Sequence, residues 1–318
     1  MIDARRMVVA LGCCVFSMSG LAQDRPVLQV LKGQLQQRTN GVLALMGYSQ
    51  TPDVTTGALS ITDHSTDNPN FDNTSLGAGF TISDSVPIYL EGTIGYARYD
   101  PKFVASDGTE TRELPTRWNS AIATAGVGWD FHLTHDLVLR PIAMGSYGRV
   151  KSDLSLGSLY ITNHTNVDLD FLAHGHLDAA GAGGSLMLDY EHYVEAYEVD
   201  VELRYTDIYL HSVNTPYKAV QGDSRNENAS LWARYRAPTG LHALSRPVRY
   251  VLELAHTSYF GADAKVLNFN HLTSLGAGLE LDTGKYHPLW ISRARAVVRY
   301  VFGQNVEGVS LGLAVTFD

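Results

Sequence analysis

Two residues have the types and spacing of a nucleophile and its general base. His256 and Ser258 are two positions apart. If their segment is a β-strand, its side chains alternate between two faces, so the imidazole and the hydroxyl lie on the same face. A histidine that takes the proton of a serine activates its hydroxyl for attack on an acyl carbonyl. Leu252 and Leu254 precede the pair at the same spacing, so this face is expected to contact lipid, and the pair would attack a lipid acyl ester.

We favour a structural interpretation of the same residues. His256, Tyr259 and Phe260 have the types found where a barrel strand meets the membrane–water interface. The His-x-Ser spacing resembles that of outer-membrane phospholipase and lipid A deacylase, but those families follow the serine with asparagine, and Tyr259 stands here. No third residue that would orient the histidine is evident. We therefore expect no catalytic residue, and a lipid hydrolase that uses His256 and Ser258 is the alternative.

A second concentration of potential ligands lies between residues 164 and 178. Histidine and aspartate side chains there could hold a divalent transition metal. Their spacing matches no known metal motif, and solvent-exposed loops are commonly rich in such residues. We expect neither a metal-binding nor a cofactor-binding residue. The residues considered are His164, Asp168, Asp170, His174, His176 and Asp178.

The segments that would position these residues alternate in polarity with a period of two. In Val194–Leu210, apolar residues from Tyr197 to Tyr205 alternate with charged residues from Glu198 to Arg204. Successive side chains of a strand point to opposite faces, so one face is apolar and the other charged. The chain is therefore predicted to be all-β. Twelve strands are predicted: Thr55–Thr62, Asn73–Ile82, Pro87–Tyr99, Arg117–Leu133, Asp136–Val150, Leu177–Tyr190, Val194–Leu210, Ala229–Ala237, Pro247–Phe260, His271–Leu281, Pro288–Phe302 and Val306–Phe317.

The connections between these strands alternate between long and short. Long ones include Asp100–Thr116, Lys151–His176 and His211–Asn228, whereas short ones include Ser83–Val86, Thr134–His135, Glu191–Tyr193 and Asp282–His287. Outer-membrane barrels have short periplasmic turns and longer extracellular loops. The pattern predicts a transmembrane, antiparallel, up-and-down β-barrel with both termini in the periplasm. Two connections depart from it, because Pro238–Arg246 is long for a turn and Gly303–Asn305 is short for a loop.

Charges of both signs fall on the face that would line the lumen. A dense network of this kind usually satisfies its charges mutually, and this is the interpretation we favour. A charged constriction that selects solutes is the functional alternative. The acidic residues are Glu198, Asp200, Glu202, Glu253 and Glu280, and the basic residues are Arg140, Arg234, Arg293, Arg295 and Arg299.

Glycines recur at alternate positions in several of the predicted strands. Leu76–Phe80, Ala125–Trp129 and Leu275–Leu279 each contain two glycines, and Gly181 and Gly183 have the same spacing. Alternation places these glycines on the inward face. They could be the kinks that let a barrel curve and close, or sites where another backbone approaches closely. Both interpretations remain open from the sequence.

The N-terminal region has two parts ahead of the predicted barrel. Residues 1–22 are interpreted as a signal peptide, with Arg5 and Arg6 before an apolar stretch and small residues before the cut. Residues 23–52 contain Pro26–Arg38, whose apolar residues recur at helical spacing. We expect this short helix to lie in the lumen as a plug. The barrel domain is then residues 53–318.

The composition and the C-terminus agree with this assignment. Net charge is −9, so no nucleic-acid partner is expected. Both cysteines, Cys13 and Cys14, lie in the signal peptide. The C-terminal residues Ser310, Gly312, Val315 and Phe317 resemble the assembly signal of outer-membrane barrels, although the chain ends on Asp318 instead of an aromatic residue. Expected partners are therefore outer-membrane lipid, lipopolysaccharide and the barrel-assembly machinery; the sequence does not determine the oligomeric state.

Strand number, layout and the C-terminal pattern together resemble the translocator barrels of autotransporters. That family has twelve strands, a helix inside the lumen and a closing C-terminal strand. Only about 30 residues separate the signal peptide from the first predicted strand, too few for an exported domain, so the chain resembles solitary autotransporter-like barrels without a passenger. The resemblance implies an outer-membrane location and a structural role or a narrow or plugged pore, without catalysis. A diffusion porin is a further alternative.

Overall fold

The fold is an antiparallel β-barrel, seen in a computed structural model. The structure describes residue 43 and residues 56–63, 70–99, 102–106, 111–115, 118–152, 176–214, 222–261, 269–283, 291–304 and 306–317. Its strands are β1 (Thr56–Asp63), β2 (Asn70–Ser83), β3 (Val86–Tyr99), β4 (Lys102–Ser106), β5 (Thr111–Pro115), β6 (Trp118–Trp129), β7 (Phe131–His132), β8 (Leu137–Ser152), β9 (His176–Tyr193), β10 (Glu198–Val213), β11 (Asp223–Ala243), β12 (Arg246–Phe260), β13 (His271–Asp282), β14 (Ile291–Gly303) and β15 (Val306–Phe317).

Twelve of these strands form a closed ring. β4 and β5 pair only with each other, and the two-residue β7 extends the line of β6 beside β8. The remaining strands follow one another around the barrel, with β6 paired to β8 and the last strand, β15, paired to β1. Each strand therefore has two neighbours, and closure leaves no free sheet edge. All twelve predicted strands are confirmed, although several of their ends move.

Side chains alternate around the ring, with apolar residues outside and polar residues inside. On β10, Leu203 and Tyr205 are half-exposed on the outer face, whereas Arg204 and Thr206 are buried on the inner face. Val309 and Leu311 of β15 continue the exposed apolar surface. A closed barrel with an apolar outside and a polar inside is the form in which β-strands can cross a bilayer. The chain is therefore an integral barrel of the outer-membrane type.

No helix among the described residues is long and apolar enough to span a membrane.

Aromatic side chains mark the two borders of the apolar surface. Near one border, neighbouring rings of Tyr190, His192, Tyr197, Tyr235 and Tyr250 have centroids 5.9–6.4 Å apart. Near the other, the Tyr96 hydroxyl donates to Asn119 at 2.9 Å, and the hydroxyls of Tyr205 and Tyr300 donate to Glu227 and Glu307 at 3.2 and 2.9 Å.

These borders set the height of the lipid-facing belt. Eight steps along the chain separate Tyr197 from Tyr205. At ~3.3 Å per residue and a strand tilt of about 40°, the belt between them is about 20 Å tall. This is somewhat less than the apolar band of about 25 Å that outer-membrane barrels present to lipid.

The connections differ between the two ends of the barrel. At what we call the short-turn end, β2 and β3 are joined by residues 84–85, and β9 and β10 by residues 194–197. At the opposite, long-loop end, residues 153–175 follow β8 and residues 214–222 follow β10. The predicted alternation is confirmed in most connections, and the predicted exception, the short connection between β14 and β15, is also present. Residues 100–116 were predicted as a long connection, and they include the β4–β5 hairpin.

The predicted long turn at Pro238–Arg246 is wrong. β11 continues to Ala243 and passes through a bulge between Pro238 and His242, where Gly240 has a φ of 74°. The turn is only Leu244 and Ser245, both with positive φ (51° and 61°), as in the two-residue hairpins that match strand twist. The predicted strand ended at Ala237, before this proline, whereas proline is also tolerated at a bulge inside a strand.

The lumen has two levels of different polarity. Toward the long-loop end, inward side chains of β6, β8, β9 and β10 form an apolar cluster that also includes Leu43, a helical residue ahead of the barrel with no exposed surface. Toward the short-turn end, the inward side chains are mostly charged. The signal peptide and Pro26–Arg38 lie outside the described residues. The apolar cluster consists of Leu43, Ile122, Val150, Leu177, Ala179 and Leu210.

Candidate functional site

A buried ion pair crosses the lumen. Glu91 on β3 accepts two hydrogen bonds from Arg204 on β10, at 2.9 and 2.7 Å. Three strands, β6, β8 and β9, separate β3 from β10 around the ring. Both side chains have only 2% of their surface exposed. Two parallel N–H···O bonds between a guanidinium group and a carboxylate are a strong and geometrically specific contact.

The strands between these two charges provide the surface on which Arg204 lies. Its guanidinium group donates to Ser185 Oγ at 3.0 Å and contacts Met144 Sδ at 3.5 Å. Gly126 pairs directly with Glu91 across β6 and β3. A Cβ atom at Gly126 would lie 2.7 Å from Glu91 Cγ, so a larger residue there would displace the carboxylate.

Arg140 organises a second group of charges on β6 to β9. Its guanidinium group is bidentate to Asp130, with Nη2 to Oδ2 at 3.0 Å, and it also donates to Asp189 at 3.1 Å. Asp130 in turn accepts from Thr81 Oγ1 at 2.6 Å. The Tyr89 ring lies beneath the guanidinium group, 3.9 Å from Arg140 Cζ, a distance at which the ring face attracts the cation.

A third group of charges joins β10 to β11, β12 and β14. Glu198 accepts from Arg249 and from Arg293 at 2.7 Å, and it forms an ion pair with Arg236 at 2.9 Å. Asp200 accepts from Tyr193 Oη at 2.6 Å and from Arg234 Nε at 2.7 Å. These ion pairs join strands that are adjacent and strands that are far apart in the ring. They therefore connect distant parts of the inner wall as well as neighbouring residues.

A fourth ion pair lies over a glycine of the strand between its two residues. Glu253 on β12 accepts from Arg299 on β14 at 2.8 Å. Gly276 of the intervening β13 pairs in register with both residues. A Cβ atom there would lie 3.0 Å from Arg299 Cγ and 3.3 Å from Glu253 Cβ. At Gly126 and Gly276, the choice that the sequence left open between curvature and close approach is decided for close approach, because both glycines make room for charged side chains of adjacent strands.

The predicted inward charges are confirmed in position, and most are in mutual ion pairs. Sequence reasoning listed neither Glu91, Asp130, Arg236 nor Arg249 among them, although the same two-residue alternation marks each as inward once the strand ends are known. A twelve-stranded barrel is wider than the eight-stranded type whose side chains fill it. Here long side chains reach across instead, as Arg204 does to Glu91.

The outer face carries the candidate nucleophile and base. His256 Nε2 lies 3.3 Å from Ser258 Oγ, and His256 Nδ1 lies 2.8 Å from Thr273 Oγ1. Thr273 is the direct neighbour of His256 across β12 and β13. The outward orientation predicted for the pair is confirmed, since Leu252 and Leu254 share its face and are exposed. The sequence did not reveal Thr273, because its proximity depends on the register between two strands.

This arrangement is an incomplete version of a catalytic triad. A threonine hydroxyl can accept from Nδ1 and so fix the tautomer in which Nε2 accepts the serine proton. It carries no negative charge to stabilise the imidazolium that forms next, which is the role of aspartate in serine hydrolases. Tyr259, expected in the interfacial girdle, instead faces the lumen, where it is buried edge-on against Phe269.

Among the described residues, no group of histidine, cysteine and carboxylate side chains is arranged to hold a metal. Asp178 is instead bidentate to Arg149, at 2.6 and 2.9 Å. His164, Asp168, Asp170 and His174 lie outside the described residues.

Solved structures similar to this chain include autotransporter barrels. The β domain of the Bordetella autotransporter BrkA is 12% identical over 83% of this chain and 97% of that chain, with a TM-score of 0.48. The transport unit of AIDA-I from Escherichia coli is 12% identical over 88% and 99%, with a TM-score of 0.48. LpxR from Salmonella typhimurium is 10% identical over 82% and 99%, with a TM-score of 0.40.

No protein-family model and no curated protein matches the chain. The resemblance to autotransporter translocator barrels is confirmed as a similarity of fold at low sequence identity.

Proposed function

We propose that this chain is an outer-membrane barrel whose lumen is kept closed or narrow by its own ion pairs, and that it performs no catalysis. The single observation that carries the proposal is the bidentate contact between Glu91 and Arg204, which crosses the lumen with both side chains 2% exposed. Recording in planar bilayers tests it. The intact chain should show small or flickering conductance, whereas a diffusion porin would show large, stable conductance.

Both termini are proposed to be periplasmic. The support is the distribution of the connections, because short turns face the periplasm and long loops the outside in outer-membrane barrels. An epitope tag inserted within residues 153–175 should be reached by antibody on intact cells. The matched control is the same tag at residues 134–135 in the short turn before β8, which should be reached only after permeabilisation. The reverse pattern would contradict the orientation.

The N-terminal segment is proposed to close the lumen further. Leu43 is buried against inward residues near the long-loop end, including Ile122, Val150 and Leu210. Leu43 precedes β1 in the chain, so its burial in this cluster supports entry of the N-terminal segment into the barrel. The proposed plug, Pro26–Arg38, would therefore act together with the charged level of the wall.

A lipid hydrolase is the second candidate, favoured by the hydrogen-bonded series Ser258–His256–Thr273 on the lipid-facing side. The folded chain, incubated with long-chain phospholipid or with lipid A, with and without calcium, should release no fatty acid. Release that Ser258→Ala abolishes and Ser274→Ala, on the neighbouring strand, leaves intact would establish the enzyme and overturn the proposal of a non-catalytic barrel.

A further inference from the structure

Three arginine side chains come together in the lumen by sharing carboxylates. Arg234 Nε and Arg236 Nη2 lie 2.7 and 3.1 Å from the same oxygen of Asp200. Arg236 Nη1 and Arg295 Nη1 lie 3.4 and 3.3 Å from the same oxygen of Glu280. We call Arg234, Arg236 and Arg295 the arginine cluster. Its members are 9%, 3% and 7% exposed, so water does little to screen their mutual repulsion.

Arginines outnumber carboxylates on the inward faces of β11 to β14. Among the described residues these faces carry six arginines and three carboxylates, Glu253, Glu280 and Asp282. The neighbouring β10 adds Glu198, Asp200 and Glu202, together with Arg204, whose charge is paired with Glu91. Asp200 and Glu280, which touch the arginine cluster, are each shared between two of its members. The arginines are Arg234, Arg236, Arg249, Arg293, Arg295 and Arg299.

Each member of the arginine cluster also has a buried nitrogen without a hydrogen-bond partner. These atoms are Arg234 Nη1, Arg236 Nε and Arg295 Nε. Buried donors in folded proteins are nearly always paired, and an unpaired donor on a buried cation is costly. An acceptor that carries negative charge would pair with these donors and also reduce the repulsion between the three cations.

We propose that the arginine cluster binds a small inorganic anion of the size of chloride. A monatomic anion accepts from several N–H groups at once and offsets the repulsion between the three guanidinium groups. The near-complete burial of these side chains leaves no access for a bulky anion. The unpaired oxygens Glu253 Oε1 and Glu280 Oε1 need donors instead, which ordered water beside the anion supplies. The site does not depend on whether the lumen conducts.

Anion-dependent stability tests the site. A ligand that binds only the folded state raises its stability. The thermal unfolding midpoint of the folded barrel in detergent is measured in sodium chloride and in sodium gluconate at equal ionic strength. The wild-type midpoint should be higher in chloride, and Arg295→Gln should lose that difference. The control Arg225→Gln, on the outer face beside Asp207, should retain it. Equal midpoints for the wild type in both salts would overturn the proposal.

A direct observation on the unaltered chain keeps the proposal testable if Arg295→Gln does not fold. Crystals grown in sodium bromide should show an anomalous scattering peak within hydrogen-bond distance of Arg234 Nη1 and Arg295 Nε. Ordered water alone at that position would contradict the site. Neither outcome of this experiment depends on conductance. Failure of the anion site is therefore distinguishable from failure of the proposed closed lumen.

Discussion

At the scale of single residues, glycine positions decide which charges can meet inside the barrel. Alternation along each strand correctly predicted that Gly126 and Gly276 face inward. It could not predict that the Glu91 side chain lies against Gly126. Nor could it predict that Arg204, 113 residues further along the chain, reaches Glu91. Partners of this kind depend on the register and order of strands around the ring. The same limit applies to Thr273 beside His256, which only the pairing of β12 with β13 reveals.

Replacing Gly276 with leucine should break the contact between Glu253 and Arg299. The new side chain would begin 3.0 Å from Arg299 Cγ and from Val297 Cγ1, and overpacking of this kind costs about 1–3 kcal/mol. On gels the folded barrel migrates as a compact band that disappears when the sample is heated. We expect the urea concentration at which half of this band is lost to be lower for the variant. Ala277→Leu, one residue along on the exposed outer face, is the control and should leave the midpoint nearly unchanged. Equal effects of the two substitutions would refute a role for this glycine.

At the scale of elements, the strands were predictable but their ends were not. Apolar residues at every second position identified all twelve barrel strands. β11 was predicted as Ala229–Ala237 but runs from Asp223 to Ala243, because inward Ser224 and Asn226 are polar and the bulge at Pro238 interrupts the period. A lumen of polar residues removes the usual contrast between a strand end and a loop. The β4–β5 hairpin lies in a segment that was predicted only as a long connection.

The last strand, β15, should be required for assembly. It pairs with β14 on one side and with β1 on the other, so its loss opens the ring and leaves two free edges. Deletion of Val309–Asp318 should abolish heat-modifiable migration on gels. Phe317→Ala should give a milder defect, since the strand still pairs through its backbone. Normal migration of the truncated chain would show that closure does not need this strand.

At the scale of the whole molecule, the outer surface of the barrel is apolar, its inner surface is charged, and one ion pair crosses the lumen. The barrel, its outward belt and the inward charges followed from the sequence. The contact between Glu91 and Arg204 did not, because it joins strands that lie far apart in the ring. Removing one partner of a buried ion pair leaves an uncompensated charge that costs about 3–5 kcal/mol, and water is expected to enter to solvate it.

Single-channel conductance of variants at Glu91 and Arg204 tests the closed lumen most directly. Intact protein should conduct little, and a chain without residues 23–39 somewhat more. Arg204→Ala should conduct most steadily, since it removes the side chain that crosses the lumen and leaves Glu91 to draw in water. The exchange of charges in Glu91→Arg with Arg204→Glu should restore much of the closure, because the contact can reform with its partners reversed. Conductance of Arg204→Ala equal to that of the intact chain would contradict closure by this ion pair.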